Sequence, residues 1–195
     1  EKVIIFTGKL NTSKGYDIFG KAIINILNKF KNWKAFAIGN ERRESHIFKH
    51  KNFKVLNWLP HNKILNFYKK SSISVVCSRW QEPFGRTAME SAAYGCATIT
   101  SGRGGLPETF DNNLILNNLN SKSLEKIISK IIQKPTLLRN IQKRNLNNVL
   151  HKIEDLTFKI DDYKKSVLIN NVNVIKKRNL KILHIANFDE KNDLR

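Results

Sequence analysis

The sequence has 195 residues, and 35 lysine and arginine residues against 16 aspartate and glutamate residues give it a formal net charge of +19. This length is enough for one domain with a buried core, the 41% of hydrophobic residues argues against disorder, and no apolar run reaches the roughly 18 to 20 residues of a membrane-spanning helix. The cysteines, Cys77 and Cys96, lie in apolar stretches, which excludes a disulfide framework, argues against a zinc cluster and favours a reducing compartment.

Apolar, β-branched segments alternate with helical patterns along the first part of the chain. The predicted strands cover residues 3–7, 33–38, 53–58, 73–77, 97–100 and 114–116. Helices are predicted over residues 19–30, 61–68 and 86–94, with a further short helix within residues 40–50. This alternation predicts a Rossmann-like α/β fold, in which helices cover both faces of a parallel sheet.

The last part of the chain has a helical pattern that ends in a polar segment. Between residues 121 and 168 the spacing of apolar residues predicts three consecutive helices, the first of which ends before Pro135. Residues 170–179 are polar, lack the glycines of a turn and are predicted to form a linker. The segment Leu180–Ala186 has the pattern of a strand.

These patterns place one domain at residues 1–169. Residues 170–195 then hold a linker and the opening strand of a following domain or, alternatively, a stray edge strand or a disordered tail. The chain begins at Glu1 with no methionine, and its only methionine is Met89. We therefore expect the sequence to be a fragment of a longer polypeptide.

The positive charge is unevenly distributed. Residues 1–70 hold 15 basic and 4 acidic residues, residues 71–110 hold three of each, and residues 111–195 hold 17 and 9. Three explanations of the excess of basic residues stay open. We favour the first, in which an AT-rich genome biases surface positions toward lysine; the others are attraction to an anionic membrane surface and nucleic-acid binding.

Ligands of open parallel sheets bind beyond the carboxyl ends of the strands, so the loops at that edge carry the candidate site. The first loop, from Gly8 to Gly15, holds Lys9 and Lys14 just inside its two glycines. Glycines let a ligand approach the backbone closely, and two ammonium groups could clamp a diphosphate. The alternative is a solvated loop in a lysine-rich protein.

The second loop places two carboxylates around the start of a predicted helix. Glu82 precedes residues 85–87, which form the helix start, and Glu90 follows within the helix or at its far end. Free N–H groups and the positive end of the helix dipole could hold a pyrophosphate there, with Glu82 near sugar hydroxyls and Glu90 near a ribose diol. Ordinary surface acids are the alternative. A third loop, residues 102–108, either supplies backbone donors or turns the chain.

Taken together, these segments resemble a known family. The motifs are Phe6-Thr7-Gly8-Lys9-Leu10 with Lys14-Gly15, Asn57-Trp58-Leu59-Pro60, Glu82-Pro83-Phe84-Gly85 through Glu90, and Gly104-Gly105-Leu106-Pro107-Glu108. In their order they resemble the carboxy-terminal, donor-binding half of a GT-B glycosyltransferase of the retaining family 4, also called glycosyl transferases group 1. The resemblance runs from about Val3 to Leu168 and implies a Rossmann-like parallel sheet followed by carboxy-terminal helices.

The resemblance implies a site for a nucleotide diphosphate sugar that needs neither a metal nor a further cofactor. Catalytic roles carry over to Glu82 at the transferred sugar and to Lys9 and Lys14 at the diphosphate. Lys9 stands where relatives usually have arginine, which keeps the charge but loses the fork geometry. The donor-binding positions are Gly8, Phe84, Gly85, Arg86, Thr87 and Glu90. The base is expected near Gly39 and the loop that holds Trp58.

The resemblance also implies a reaction and its setting. We expect a sugar to be transferred with retention to a glycan or lipid-linked acceptor in cell-surface polysaccharide or lipopolysaccharide synthesis, in the cytoplasm or at the inner face of the membrane. Whether the acceptor attacks on the face of the leaving diphosphate or Glu82 acts as a transient nucleophile stays open.

The resemblance implies an amino-terminal domain that holds the acceptor, and we expect that domain to be missing from this sequence. We therefore expect weak donor binding and little transfer by the chain alone. The segment Lys181–Phe188 resembles the opening strand of another amino-terminal domain. The rival interpretation is a non-catalytic basic module that binds nucleic acid or an anionic membrane, whereas the leading one expects no nucleic-acid partner.

Overall fold

A computed structural model describes residues 1–109 and 114–175, with side chains described outside 149–157 and 168–175. Its six strands are β1 (Val3–Thr7), β2 (Lys34–Ile38), β3 (Phe53–Leu56), β4 (Ile73–Val76), β5 (Ala97–Ser101) and β6 (Ile115–Leu116). They form one parallel sheet in the order β3-β2-β1-β4-β5-β6. The six predicted strands and the Rossmann-like α/β fold are confirmed.

The described helices are α1 (Tyr16–Lys29), α2 (His61–Lys70), α3 (Arg86–Ala93), α4 (Ser121–Gln133) and α5 (Pro135–Ile175), with a 3₁₀ turn at Leu106–Glu108. The short helix predicted within residues 40–50 is wrong. Two side chains of that segment bond instead to the first loop, since Asn11 Nδ2 donates to Glu41 at 3.1 Å and the Thr12 N–H donates to Glu44 at 2.7 Å. Carboxylates held in this way fix a non-helical backbone.

The carboxy-terminal helical region differs from its prediction in number. The side chain of Asn120 caps α4 by accepting from the Ser123 N–H at 2.8 Å, and Pro135 begins α5. No glycine or proline follows to interrupt α5 before Ile175, so two helices form instead of three. No helix in the described ranges is both long and apolar enough to cross a membrane.

The chain divides at residue 153 into two units. Residues 1–153 contain the sheet and its core, and the described side chains of the second unit, residues 158–167, are exposed. Helix α5 enters the segment predicted as a linker, and the domain boundary at residue 169 stays a prediction. The predicted strand at residues 180–186 lies outside the described residues.

Strand β1 sends its side chains to both faces of the sheet. Ile4 and Phe6 join a cluster with α1 and α4, whereas Ile5 packs with Tyr68 of α2 on the other face. These side chains are at most 2% exposed, and burying each contributes about 1.5–3 kcal/mol. Helices therefore cover both faces, and the ends of the strands remain open to a ligand.

The two cysteines are expected to resist alkylation in the folded protein. Burial raises the pKa of the Cys77 thiol and of the Cys96 thiol to about 12, so the reactive thiolate is scarce at pH 8. Mass spectrometry after iodoacetamide treatment should find both thiols unmodified in the native chain and modified in urea. Rapid native alkylation at pH 8 would contradict this burial.

Candidate functional site

The first loop leaves β1 and turns tightly into α1. Gly15 has a φ of 77°, a left-handed conformation, and its N–H donates to the Thr12 carbonyl at 3.0 Å. Asn11 is buried, and its side-chain oxygen accepts from the Lys14 N–H at 2.9 Å. The loop is therefore fixed by its own hydrogen bonds, and Lys14 leaves it at a defined position.

Lys14 and Glu82 meet across the edge of the sheet. The Lys14 ammonium forms an ion pair with the Glu82 carboxylate, and the two side chains are 32% and 15% exposed. Solvent and salt screen a partly buried pair less than an exposed one. Two of the three residues predicted to be catalytic thus lie in direct contact, although they are 68 positions apart.

Arg79 joins the first loop to the second, and sequence reasoning missed it. Its guanidinium donates to both carboxylate oxygens of Asp17 at 2.7 and 2.9 Å, and its backbone N–H donates to the Ser13 carbonyl at 2.8 Å. Burial alone would raise the pKa of the Asp17 carboxyl, but the hydrogen bond and charge of Arg79 bring it below its ordinary value. This bidentate pair holds Lys14 opposite Glu82.

The third loop supports the second. The Gly104 N–H donates to the Gln81 side chain at 2.6 Å, and the Gly105 N–H donates to the Glu82 carbonyl at 2.7 Å. Thr109 Oγ1 donates to the Phe84 carbonyl at 2.8 Å. Protein acceptors thus occupy the N–H groups of Gly104 and Gly105, and the third loop braces the backbone that carries Glu82.

Helix α3 begins at this braced loop. Gly85 precedes it with a φ of 79°, and the Gly85 carbonyl accepts from Ala88 and Met89 in the first turn. The N–H groups of Arg86 and Thr87 have no acceptor among the described residues. Two unpaired donors and the positive end of the helix dipole form a place for an anion.

A pocket of about 380 Å³ opens at the start of α3. Its walls, drawn from β1, α2, α3 and the loops, are Thr7, Gly8, Trp58, His61, Ile64, Tyr68, Arg86, Thr87 and Glu90. Glu90 Oε1 lies 3.1 Å from His61 Nε2, so His61 is a second residue that sequence reasoning missed. The structure therefore gathers Gly8, Arg86, Thr87 and Glu90 around one space.

Lys9 lies in a neighbouring pocket of about 440 Å³. Its walls are Lys9, Asn40, Glu41, Arg42, Arg43 and Trp58. The described contacts do not join Lys9 to Lys14 or Glu82. Trp58 is 56% exposed and lines both this pocket and the one at the start of α3.

Comparison with known proteins identifies the family of this chain. The profile of the family described as glycosyl transferases group 1 matches residues 1–148. A 42.6 kDa protein in the cps region of Klebsiella pneumoniae is 28% identical over 186 residues, which cover 93% of this chain and 40% of that protein. The chain spans less than half the length of the curated relatives it matches.

Solved structures share the fold. The carboxy-terminal domain of LpcC, a glycosyl transferase group 1 family protein of Francisella tularensis, has a TM-score of 0.70 and 24% identity, covering 77% of this chain and 85% of that domain. HepE of Anabaena, solved with UDP and glucose, has a TM-score of 0.67 and 17% identity, covering 83% of this chain and 48% of its own. At these identities the likeness shows the fold.

Proposed function

Because the chain belongs to the glycosyl transferases group 1 family, we propose that its described domain binds the nucleotide diphosphate sugar that serves as the sugar donor. The observation that carries this proposal is the gathering of the Lys14–Glu82 pair, the start of α3 and Glu90 at one edge of the sheet. The complex of Anabaena HepE with UDP and glucose supports a uridine nucleotide as the first donor to test.

Each part of the site suits one part of such a donor. The Lys14 ammonium and the N–H groups of Arg86 and Thr87 hold the diphosphate, because the ammonium is positively charged and the two N–H groups are unpaired donors at a helix start. Glu82 accepts hydrogen bonds from the transferred sugar, and Glu90 accepts from the ribose hydroxyls. Phe84 and Gly85 set the loop between them, and Gly8 lets the ligand approach β1.

The pocket lined by Lys9 and Trp58 holds the base of the nucleotide. The exposed ring of Trp58 offers an aromatic face, and Lys9 adds positive potential next to the diphosphate. Lys9 contributes less than Lys14, because it is exposed and its charge is screened more strongly.

The proposed reaction retains the configuration of the sugar. The bond between the anomeric carbon and the diphosphate oxygen breaks, and its electron pair goes to the diphosphate. The acceptor hydroxyl attacks on the same face, and its proton goes to the departing diphosphate oxygen. Lys14 and the start of α3 stabilise the charge that develops there, and no metal is needed.

The acceptor belongs to the proposal for the whole protein. A glycan or lipid-linked acceptor, held by an amino-terminal domain of the same polypeptide, suits a cell-surface polysaccharide or lipopolysaccharide synthesis in the cytoplasm or at the inner face of the membrane. The LpcC comparison covers a carboxy-terminal domain alone, which supports assigning this chain to the donor half.

Glu90→Ala tests the ribose assignment. We expect the Kd for UDP to rise about tenfold or more, since hydrogen bonds to a carboxylate contribute about 1.5–3 kcal/mol. Inorganic pyrophosphate, which has no ribose, should bind the variant as well as the native chain. Isothermal titration calorimetry of this chain measures both ligands.

Glu125→Ala removes a half-buried carboxylate of α4 that does not line the donor pocket, and is the matched control, expected to leave both affinities unchanged. Equal losses for UDP and pyrophosphate would contradict the role of Glu90. If the native chain binds none of UDP, GDP, ADP and CMP, or their sugars, but binds RNA or DNA with a steep salt dependence, the basic-module interpretation replaces the donor site.

A further inference from the structure

Helix α4 carries a row of lysines that the donor site does not use. The row has a spacing of four residues and consists of Lys122, Lys126, Lys130 and Lys134, the last of which directly follows the helix. All four are exposed, and with Lys29 of α1 they line one depression of about 500 Å³. We call these five residues the lysine stripe.

The lysine stripe is not neutralised within the described part of the chain. No described ion pair includes any of the five lysines. The depression contains one acid, Glu125, whose carboxylate accepts from Asn25 Nδ2 at 2.9 Å. Like charges four residues apart on a helix repel each other by a few tenths of a kcal/mol per pair. A bound anion would relieve this repulsion.

A cavity of about 440 Å³ adjoins the lysine stripe. Its apolar walls are Leu114, Ile115, Ile127, Ile131, Leu137 and Ile141, and its polar walls are Lys130, Asn140 and Arg144. Lys130 thus lines both the cavity and the depression. The cavity therefore combines an apolar interior with two cationic side chains, those of Lys130 and Arg144.

These two features fit one chemical class, a molecule with an anionic head and an apolar chain. We propose that the lysine stripe and the adjoining cavity bind anionic lipid at a membrane surface, with the phosphate of a headgroup at Lys130 and Arg144 and part of its acyl chain in the cavity. The remaining lysines face the other headgroups of the same leaflet.

The residue types favour lipid over nucleic acid. Lysines are compact, hydrated charges, and the lysine stripe has neither the aromatic side chains on which bases stack nor arginine forks for base edges. A free phosphate would leave the apolar cavity unused. The surface lies on α1 and α4, whereas the donor pocket is lined by α2 and α3, so the inference does not depend on the proposed function.

Vesicle sedimentation tests the lysine stripe. The native chain is expected to sediment with vesicles of phosphatidylcholine that contain phosphatidylglycerol, and not with phosphatidylcholine alone. The combined variant Lys122→Gln, Lys126→Gln, Lys130→Gln and Lys134→Gln should lower the partition coefficient at least tenfold. The matched control has the same net charge, changes four other exposed lysines (Lys49→Gln, Lys51→Gln, Lys54→Gln and Lys63→Gln) and should lower it less than twofold.

Asn140→Trp tests the cavity separately, because it places a ring at an exposed position of the cavity wall without changing charge. Short-chain phosphatidylglycerol below its micelle concentration should bind the native chain, and this variant should bind it at least tenfold more weakly. Glycerol phosphate should bind neither. Thermal melts confirm that each variant is folded.

Three outcomes would overturn the proposal. Equal vesicle binding by the two lysine variants would show that net charge alone matters. Unchanged binding of the short-chain lipid by Asn140→Trp would remove the cavity from the site. Binding of RNA, but not vesicles, that is lost with the lysine stripe would make this surface a nucleic-acid interface.

Discussion

Lys14→Ala and Glu82→Gln are expected to change UDP binding in opposite directions, although the two side chains form one ion pair. Removing the ammonium takes a cation from the diphosphate and leaves the Glu82 carboxylate, which is 15% exposed, without its partner. Both effects oppose a bound anion, so the Kd for UDP should rise about 10- to 100-fold. Glu82→Gln removes a negative charge at the same place and should lower this Kd severalfold.

UDP-glucose separates the role at the sugar from the role at the diphosphate. If Glu82 accepts hydrogen bonds from the sugar, Glu82→Gln gains affinity for UDP without an equal gain for UDP-glucose. Lys14→Ala should weaken both ligands by the same factor, because it acts on the part they share. Calorimetry of this chain with each ligand gives the two ratios.

The double variant Lys14→Ala/Glu82→Gln should bind UDP more tightly than Lys14→Ala alone, because it leaves no unpaired carboxylate beside the diphosphate. Lys51→Ala removes an exposed lysine elsewhere and should leave both affinities unchanged. If Glu82→Gln weakens UDP as strongly as Lys14→Ala does, the pair acts by supporting the loop, and its assignment to the donor is wrong.

The sheet could be predicted from the sequence because its signal is local. A strand buried on both faces is a short apolar run such as Val3–Thr7, and alternation with helices selects a parallel arrangement. The same logic placed Lys14 and Glu82 at one edge, since carboxyl ends of parallel strands lie together. The contact between Lys14 and Glu82 depends on β1 and β4 being neighbours in the sheet. A single sequence gives the order of the strands along the chain and not their order in the sheet.

The residues that hold the site could not be predicted in the same way. Arg79 and Asp17 are 62 positions apart, and the residues around each of them give no indication of which side chain it will contact. Glu41 and Glu44 belong to a polar segment compatible with a helix, and their contacts with Asn11 and Thr12 in the folded chain hold that segment in a non-helical conformation. His61 begins α2, and its approach to Glu90 follows from the packing of the helices on the sheet.

Helix α5 differs from its prediction for another reason: the prediction divides a continuous helical segment into two helices. Two helices are expected after Pro135, and one forms instead. Helix propagation needs no unbroken apolar face, however, and ends where glycine, proline or a cap stops it. Pro135 supplies a start at the first helical position, and no later residue up to Ile175 is a glycine or proline.

Gly15→Ala is expected to lower the free energy of unfolding through both backbone strain and steric overlap. Gly15 has a φ of 77°, where an alanine costs about 1–2 kcal/mol. Its Cβ would also overlap the backbone carbonyl of Cys77, the residue that directly follows β4, and a backbone carbonyl cannot move aside as a flexible side chain would. Together with about 1–3 kcal/mol for overpacking, the loss should reach about 2–5 kcal/mol.

Gly95→Ala isolates the contribution of this overlap. Gly95 has a φ of 80°, nearly the value at Gly15, but a Cβ there would meet no atom within 4 Å. It should therefore show the backbone cost alone, about 1–2 kcal/mol. Since each kcal/mol lowers the Tm by about 2–4 °C in a domain of this size, calorimetry should separate the two variants by several degrees. Equal Tm values would mean that the backbone around Gly15 moves away from Cys77 to make room for the new Cβ, and that the loop carrying Lys14 is not held rigidly against β4.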